Sequence, residues 1–156
     1  MTLSLRAKLM IFAALLAAPA SIALADGGAP SPTVAADPNF AAGKQAIDGK
    51  NWARAIEAFN KAAATDARSA DIQNYLGYAY RNSGQMDLAF KHYGQALALD
   101  PKHRGAHEYI GEAYLMVNNL AKAEEHRAAL DRICFFPCHE LTELKEKIAA
   151  YKSRAK

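Results

Sequence analysis

Cys134-Phe135-Phe136-Pro137-Cys138-His139 is the stretch whose residue types could do the most distinctive chemistry. Two thiols and an imidazole within six residues suit four roles: a disulfide, a redox pair, a metal site or covalent haem attachment. Redox pairs are usually Cys-x-x-Cys at a helix start, and here the spacing is one residue longer. A metal would recruit Cys134, Cys138 and His139, with no fourth ligand nearby in sequence. Haem attachment reads Cys-x-x-Cys-His, and this segment has one residue too many. In a straight helix, side chains four apart stand ~6 Å apart at Cβ, too far for a disulfide. Pro137 breaks the helix, so Cys138 can fold back onto Cys134. A structural disulfide is the expectation, closing a corner with Phe135 and Phe136 packed beneath the helix that follows. Accessory thiol or metal handling through Cys134 and Cys138 is the alternative.

Other reactive side chains are dispersed. His92, His103, His107 and His126 are expected at the surface, and no serine–histidine–acid set or phosphate loop occurs. No catalytic residue, cofactor or metal is therefore expected, and the chain reads as a non-enzyme. Glu108 and Glu112 form an acidic pair one helical turn apart that could meet a basic segment.

The oxidising context that favours a disulfide comes from the other end of the chain. Arg6 and Lys8 form a positive start, Leu9 to Ala18 an apolar run, and Ala23-Leu24-Ala25 a small-residue cleavage site. Residues 1–25 read as a signal peptide cut after Ala25, in the style of bacterial export to the periplasm or medium. Pro19 and Ser21 interrupt the run, which falls short of the ~20 apolar residues that span a bilayer. No stable membrane insertion is expected after cleavage. Residues 26–37, rich in Gly, Ala, Pro, Ser and Thr, read as a flexible leader.

The elements that must position everything else are helical. The chain has 156 residues, enough for one domain, and 51% are hydrophobic, with alanine, the best helix former, supplying much of that share. Runs of β-branched and aromatic residues are scarce. Formal charge is +3, and removing Arg6 and Lys8 (no acid lies in 1–25) leaves 3 − 2 = +1, which argues against nucleic acid. The basic end Lys145, Lys147, Lys152, Arg154 and Lys156 suits the C-terminal pole of a solvated last helix.

A period of 34 residues organises the chain: Ala55, Ala89 and Ala123; Gly43, Gly77 and Gly111; Ala46, Tyr80 and Tyr114; Ala62, Ala96 and Leu130. These positions make residues 36–137 resemble three tetratricopeptide repeats, about 36–69, 70–103 and 104–137. The middle unit fits best, with Leu76-Gly77-x-x-Tyr80, Ala89, Tyr93, Ala96 and Asp100-Pro101. The first has Ala67 in place of the closing proline and Ala46 in place of a tyrosine; the third has Arg127 where an aromatic is usual. The resemblance implies an all-α superhelix of three helix–turn–helix repeats plus a C-terminal capping helix, a domain spanning 38–154.

Helix pairs are predicted at about 38–49 with 52–64, 70–82 with 85–98 and 104–117 with 120–133. A cap follows at about 139–153, with Leu141, Leu144, Ile148 and Tyr151 on its inner face. Mid-helix Gly77 and Gly111 are expected where a partner helix approaches closely, with Ala89 and Ala123 opposite them. Asn82-Ser83-Gly84 and Asn118-Asn119 carry the turns.

The resemblance further implies a concave groove lined by Phe40, Lys44, Ile47 and Asp48, by Asp71, Asn74, Tyr78, Arg81 and Asn82, and by Glu108, Glu112, Leu115 and Met116. Asn74, Tyr78 and Arg81 could hold an extended backbone or a carboxylate. Lys44 and Asn74 match part of the family's clamp for a C-terminal carboxylate, but the set is incomplete and that clamp is not expected. The functional expectation is a protein–protein interaction scaffold of the bacterial cell envelope that binds a protein or peptide partner in this groove and is open to self-association.

Overall fold

The computed structural model describes residues 30–154, and every regular element among them is a helix. The predicted signal peptide lies outside the described residues. After a short α1 (Pro32–Ala35) come three antiparallel pairs: α2 (Pro38–Asp48) with α3 (Trp52–Thr65), α4 (Ala70–Asn82) with α5 (Met86–Leu99), and α6 (Arg104–Met116) with α7 (Leu120–Ile133). The cap α8 (His139–Arg154) packs on both α6 and α7. Predicted and observed bounds agree within one or two residues.

Local chemistry explains where the helices start. Asp37 accepts from the amides of Asn39 and Phe40, with Pro38 at the first helical position. Asn51, Ser69 and Asn119 cap α3, α4 and α7 through side-chain oxygens, and the His103 ring caps α6 by accepting from the Ala106 amide. Each pair turns through one left-handed residue, Lys50, Gly84 or Asn118, and these too repeat every 34 positions. The residue after each donates back across the turn: Asn51 to the Ala46 carbonyl, Gln85 to Tyr80 and Asn119 to Tyr114.

The glycines show how closely the pairs approach. A Cβ on Gly43 would lie 2.5 Å from the Phe59 ring, and one on Gly77 2.5 Å from the Tyr93 ring. The group facing each glycine is thus the ring sixteen residues on, rather than the alanine expected there; Ala89 and Ala123 are buried beside it. In the third unit that ring position is Arg127, which ion-pairs with Glu124 and Asp131 instead. Leu144 of α8 takes the vacant place, 2.7 Å from a Cβ on Gly111. Leu141, Leu144 and Ile148 are buried and Tyr151 packs against them, as the cap's periodicity predicts.

The end of the expected flexible leader is folded. Ser31 caps α1, Val34 is buried in the first core with Phe40 and Ile72, and the Ser31 amide donates to Asp71 at 3.1 Å. A four-residue helix has too few positions to show a period, so one buried valine carries no signal in the sequence.

Candidate functional site

The first helices of the pairs, α2, α4 and α6, carry the predicted groove residues, and the structure sorts these into committed and uncommitted groups. Lys44 is committed: its Nζ donates to the Tyr75 hydroxyl at 2.7 Å and lies 4.3 Å from that ring's centre. Arg81 is committed more firmly. It is only 6% exposed, and one guanidinium nitrogen donates to Glu112 at 2.7 Å and to the Tyr109 carbonyl at 3.1 Å. Its charge also lies 5.1 and 5.4 Å from the rings of Tyr78 and Tyr109, whose centroids are 4.9 Å apart. Arg81, expected to be able to hold a carboxylate, and Glu112, expected to help receive a basic segment, pair with each other and tie α4 to α6. Trp52 meets Tyr78 edge-on at 6.2 Å, extending the aromatic surface to α3.

Asn74 and Glu108 are uncommitted. Asn74 is 3% exposed and its Oδ1 has no hydrogen-bond partner among the described residues. Glu108 is 8% exposed. Burial first, then Glu112, Glu140 and Glu143, pushes its carboxyl up to about 8. Both line a cavity of about 140 Å³ shared by α4, α6 and the start of α8. Asp71 stands at its edge with both oxygens occupied, one by the Ser31 amide and one by His103 Nε2 at 3.2 Å.

The histidines are not the scattered surface residues expected. His107 Nε2 donates to the Pro101 carbonyl at 3.1 Å and its Nδ1 accepts from His126 Nδ1 at 2.9 Å. One unit earlier, His92 Nδ1 donates to Gln73 at 2.8 Å. Tyr80 stacks on His92 and Tyr114 on His126. Gln73 and His107, Tyr80 and Tyr114, and His92 and His126 are each 34 apart, a signal that the period itself offered. Burial holds His92, His107 and His126 below the ordinary histidine range, His126 at about 4.

Cys134 and Cys138 form a disulfide, with Cα atoms 5.9 Å apart, in the corner between α7 and α8. Phe135 and Phe136 do not pack beneath the cap; they are 92% and 75% exposed, edge to face with each other. The cysteines themselves pack on the last core, and with only three residues between them the rings are forced outward.

Comparison with known proteins agrees with this fold. The tetratricopeptide repeat family model matches residues 70–103, the middle pair. The Sgt2 TPR domain from Aspergillus fumigatus superposes with a TM-score of 0.67 at 21% identity, covering 81% of this chain and 82% of that one. The Yersinia enterocolitica type III secretion chaperone SycD, in complex with a peptide of the translocator YopD, does so at 0.65 and 20% identity, covering 76% and 92%. The human protein O-mannosyl-transferase TMTC3 is 29% identical over 75 residues, 48% of this chain, and the match spans only 8% of that protein's length.

Proposed function

We propose that this chain, whose fold is that of tetratricopeptide repeat proteins, is an exported scaffold that binds an extended segment of a partner protein along α2, α4 and α6. The observation that carries the reading is the groove surface itself. The Tyr78 and Tyr109 rings, held by Arg81, lie on the same helices as the Asn74 side-chain oxygen and Glu108 carboxyl, which have no hydrogen-bond partner among the described residues. Aromatic faces beside unsatisfied hydrogen-bonding groups suit a peptide, which brings apolar side chains and backbone polar groups together. SycD, of similar fold, has been solved with a peptide of its translocator. With Arg81 spent on Glu112, the groove does not select a carboxylate at that position.

The test is a photo-crosslinking amino acid at Tyr78, compared with one at exposed Gly94 on α5, in the native host. Discrete adducts from position 78 that are absent from position 94 are expected. Equal adducts from both, or none from either, would remove the groove from the reading. Export is read from Arg6, Lys8, the apolar run and Ala25. Intact mass without reductant tests it: residues 26–156 less two hydrogens is the expected species. A retained leader argues against release, and free thiols or added mass favour thiol or metal handling through Cys134 and Cys138.

A further inference from the structure

The cavity between α4, α6 and α8 is lined by carboxyl groups, the Asn74 amide, two tyrosine rings, and His103 and His139 at its edge. Asp71, Glu108 and Glu140 supply three carboxylates, Asn74 an unpartnered carbonyl oxygen, and Tyr75 and Tyr109 two ring systems. Asp71 is satisfied by Ser31 and His103, and Glu140 stands 3.8 Å from Arg104. Glu108 makes neither hydrogen bond nor ion pair among the described residues, although it is more than nine-tenths buried. The Asn74 oxygen is buried more deeply still and equally alone. A buried acceptor without a donor costs about 1–3 kcal/mol, so the Asn74 oxygen is a standing deficit that a donor entering the cavity would remove, with the unpaired Glu108 carboxyl beside it.

Gly105 keeps the space open. A Cβ there would sit 3.2 Å from the Asn74 amide nitrogen.

The chemistry of the walls decides what fits. An anion would meet the Asp71 and Glu140 carboxylates. Among the described residues, no three carboxylate, histidine or cysteine groups are placed to ligate a metal together. A neutral donor would satisfy the Asn74 oxygen but would leave Glu108, which makes no ion pair among the described residues, without a cation to pair with. An ammonium or guanidinium satisfies the Asn74 oxygen, gives Glu108 a charge to pair with and brings an apolar stem alongside Tyr75 and Tyr109.

We propose that this cavity is the specificity subsite of the groove and takes the cationic end of a lysine or arginine side chain from the bound partner segment. The assignment rests on the groove reading above and names what that groove selects. Glu108 receives the charge, Asn74 accepts a hydrogen bond from the same group, and Glu140 closes the rim. A cation draws the Glu108 proton off, so the subsite becomes an ion pair only when filled.

The test uses a random nine-residue display library selected in parallel on the full chain and on Glu108→Gln at pH 7, with enriched peptides made in N-acetylated form. Gln keeps the shape of the protonated acid. Glu140→Gln, at the rim, is a second variant independent of the buried position. Enriched peptides are expected to share a lysine or arginine, to weaken at least tenfold when it becomes norleucine or when Glu108 becomes Gln, and to shift the Gly105 amide resonance. Peptides that shift Tyr78 and Tyr109 but carry no cation, bind E108Q equally or need a free N-terminal amine overturn the subsite and leave the groove standing. No enrichment, or shifts confined to α3, α5 and α7, removes the groove and the subsite together.

Discussion

Buried polar side chains in this protein differ in whether a neighbour answers them, and the unanswered ones make sharp predictions. Glu108 is the first. Its carboxyl rises from 4.5 to about 8 on folding, so between those values the folded chain holds a proton that the unfolded chain has lost. Stability therefore falls as pH rises through that window. Glu108→Gln removes the dependence: thermal melts should coincide with wild type near pH 4.5, and near pH 8.5 the variant should be more stable by about 1–3 kcal/mol. Equal melts at pH 8.5 would mean that Glu108 has a partner when folded. Tyr93 is the second. Its ring is fully buried against Gly77, its hydroxyl has no partner among the described residues, and burial raises its ionisation far out of reach. Tyr93→Phe should be neutral or stabilising by up to about 1 kcal/mol in urea titration, because it removes an unpaired group and keeps the ring. Arg81 is the contrasting case, buried but paired with Glu112, and so structural before it is anything else.

At the scale of the element, one contact repeats and one repeat breaks it. Glycine against a ring joins α2 to α3 and α4 to α5; glycine against a leucine of the cap joins α6 to α8. The difference sets an order of sensitivity. A Cβ at Gly77 strikes an immobile ring held on all sides, whereas one at Gly111 strikes the methyl end of Leu144 on a terminal helix that can shift outward. Gly77→Ala should cost about 1–3 kcal/mol. Gly111→Ala should cost less and should show as faster amide exchange confined to α8. Equal costs would mean that the cap is as rigid as the inner pairs. That Arg127 breaks the ring pattern was legible in the sequence, and so were Leu144 and its neighbours as an inner face; that the second repairs the first was not. The two are 17 residues apart on helices whose crossing angle no spacing prescribes.

For the whole molecule, the histidine seams link stability to acidity. His92, His107 and His126 sit between consecutive helices and are all held below their ordinary range by burial. As pH falls from the ordinary histidine value of 6.5 towards the His126 value of about 4, the unfolded chain takes up protons that the folded chain refuses, so the stack loses stability over that window. His126→Phe cannot take up that proton and keeps a ring against Tyr114. Its melting temperature should therefore fall less than wild type between pH 7 and pH 4.5. A parallel fall would assign the acid sensitivity to other groups.

The sequence by itself determined the all-helical class, the turns, the cap with its inner face and, through the 34-residue period and its resemblance to tetratricopeptide repeats, the three-unit architecture; it favoured closure of Cys134 on Cys138 without fixing it. The helices, turns and cap follow from local rules, the 3.6-residue period with capping and turn chemistry, which act within a few positions along the chain; the unit count follows from the repeat. Tertiary structure alone decided how the groove's charges are used. It paired Arg81 with Glu112 and Lys44 with Tyr75, left Asn74 and Glu108 without partners, joined the histidines across the seams, folded Val34 into the core and turned Phe135 and Phe136 outward. The partners of those side-chain pairings lie 19 to 31 residues apart. Which side chain meets which over such separations depends on the angle at which one helix crosses the next, and that angle is settled only when the helices pack.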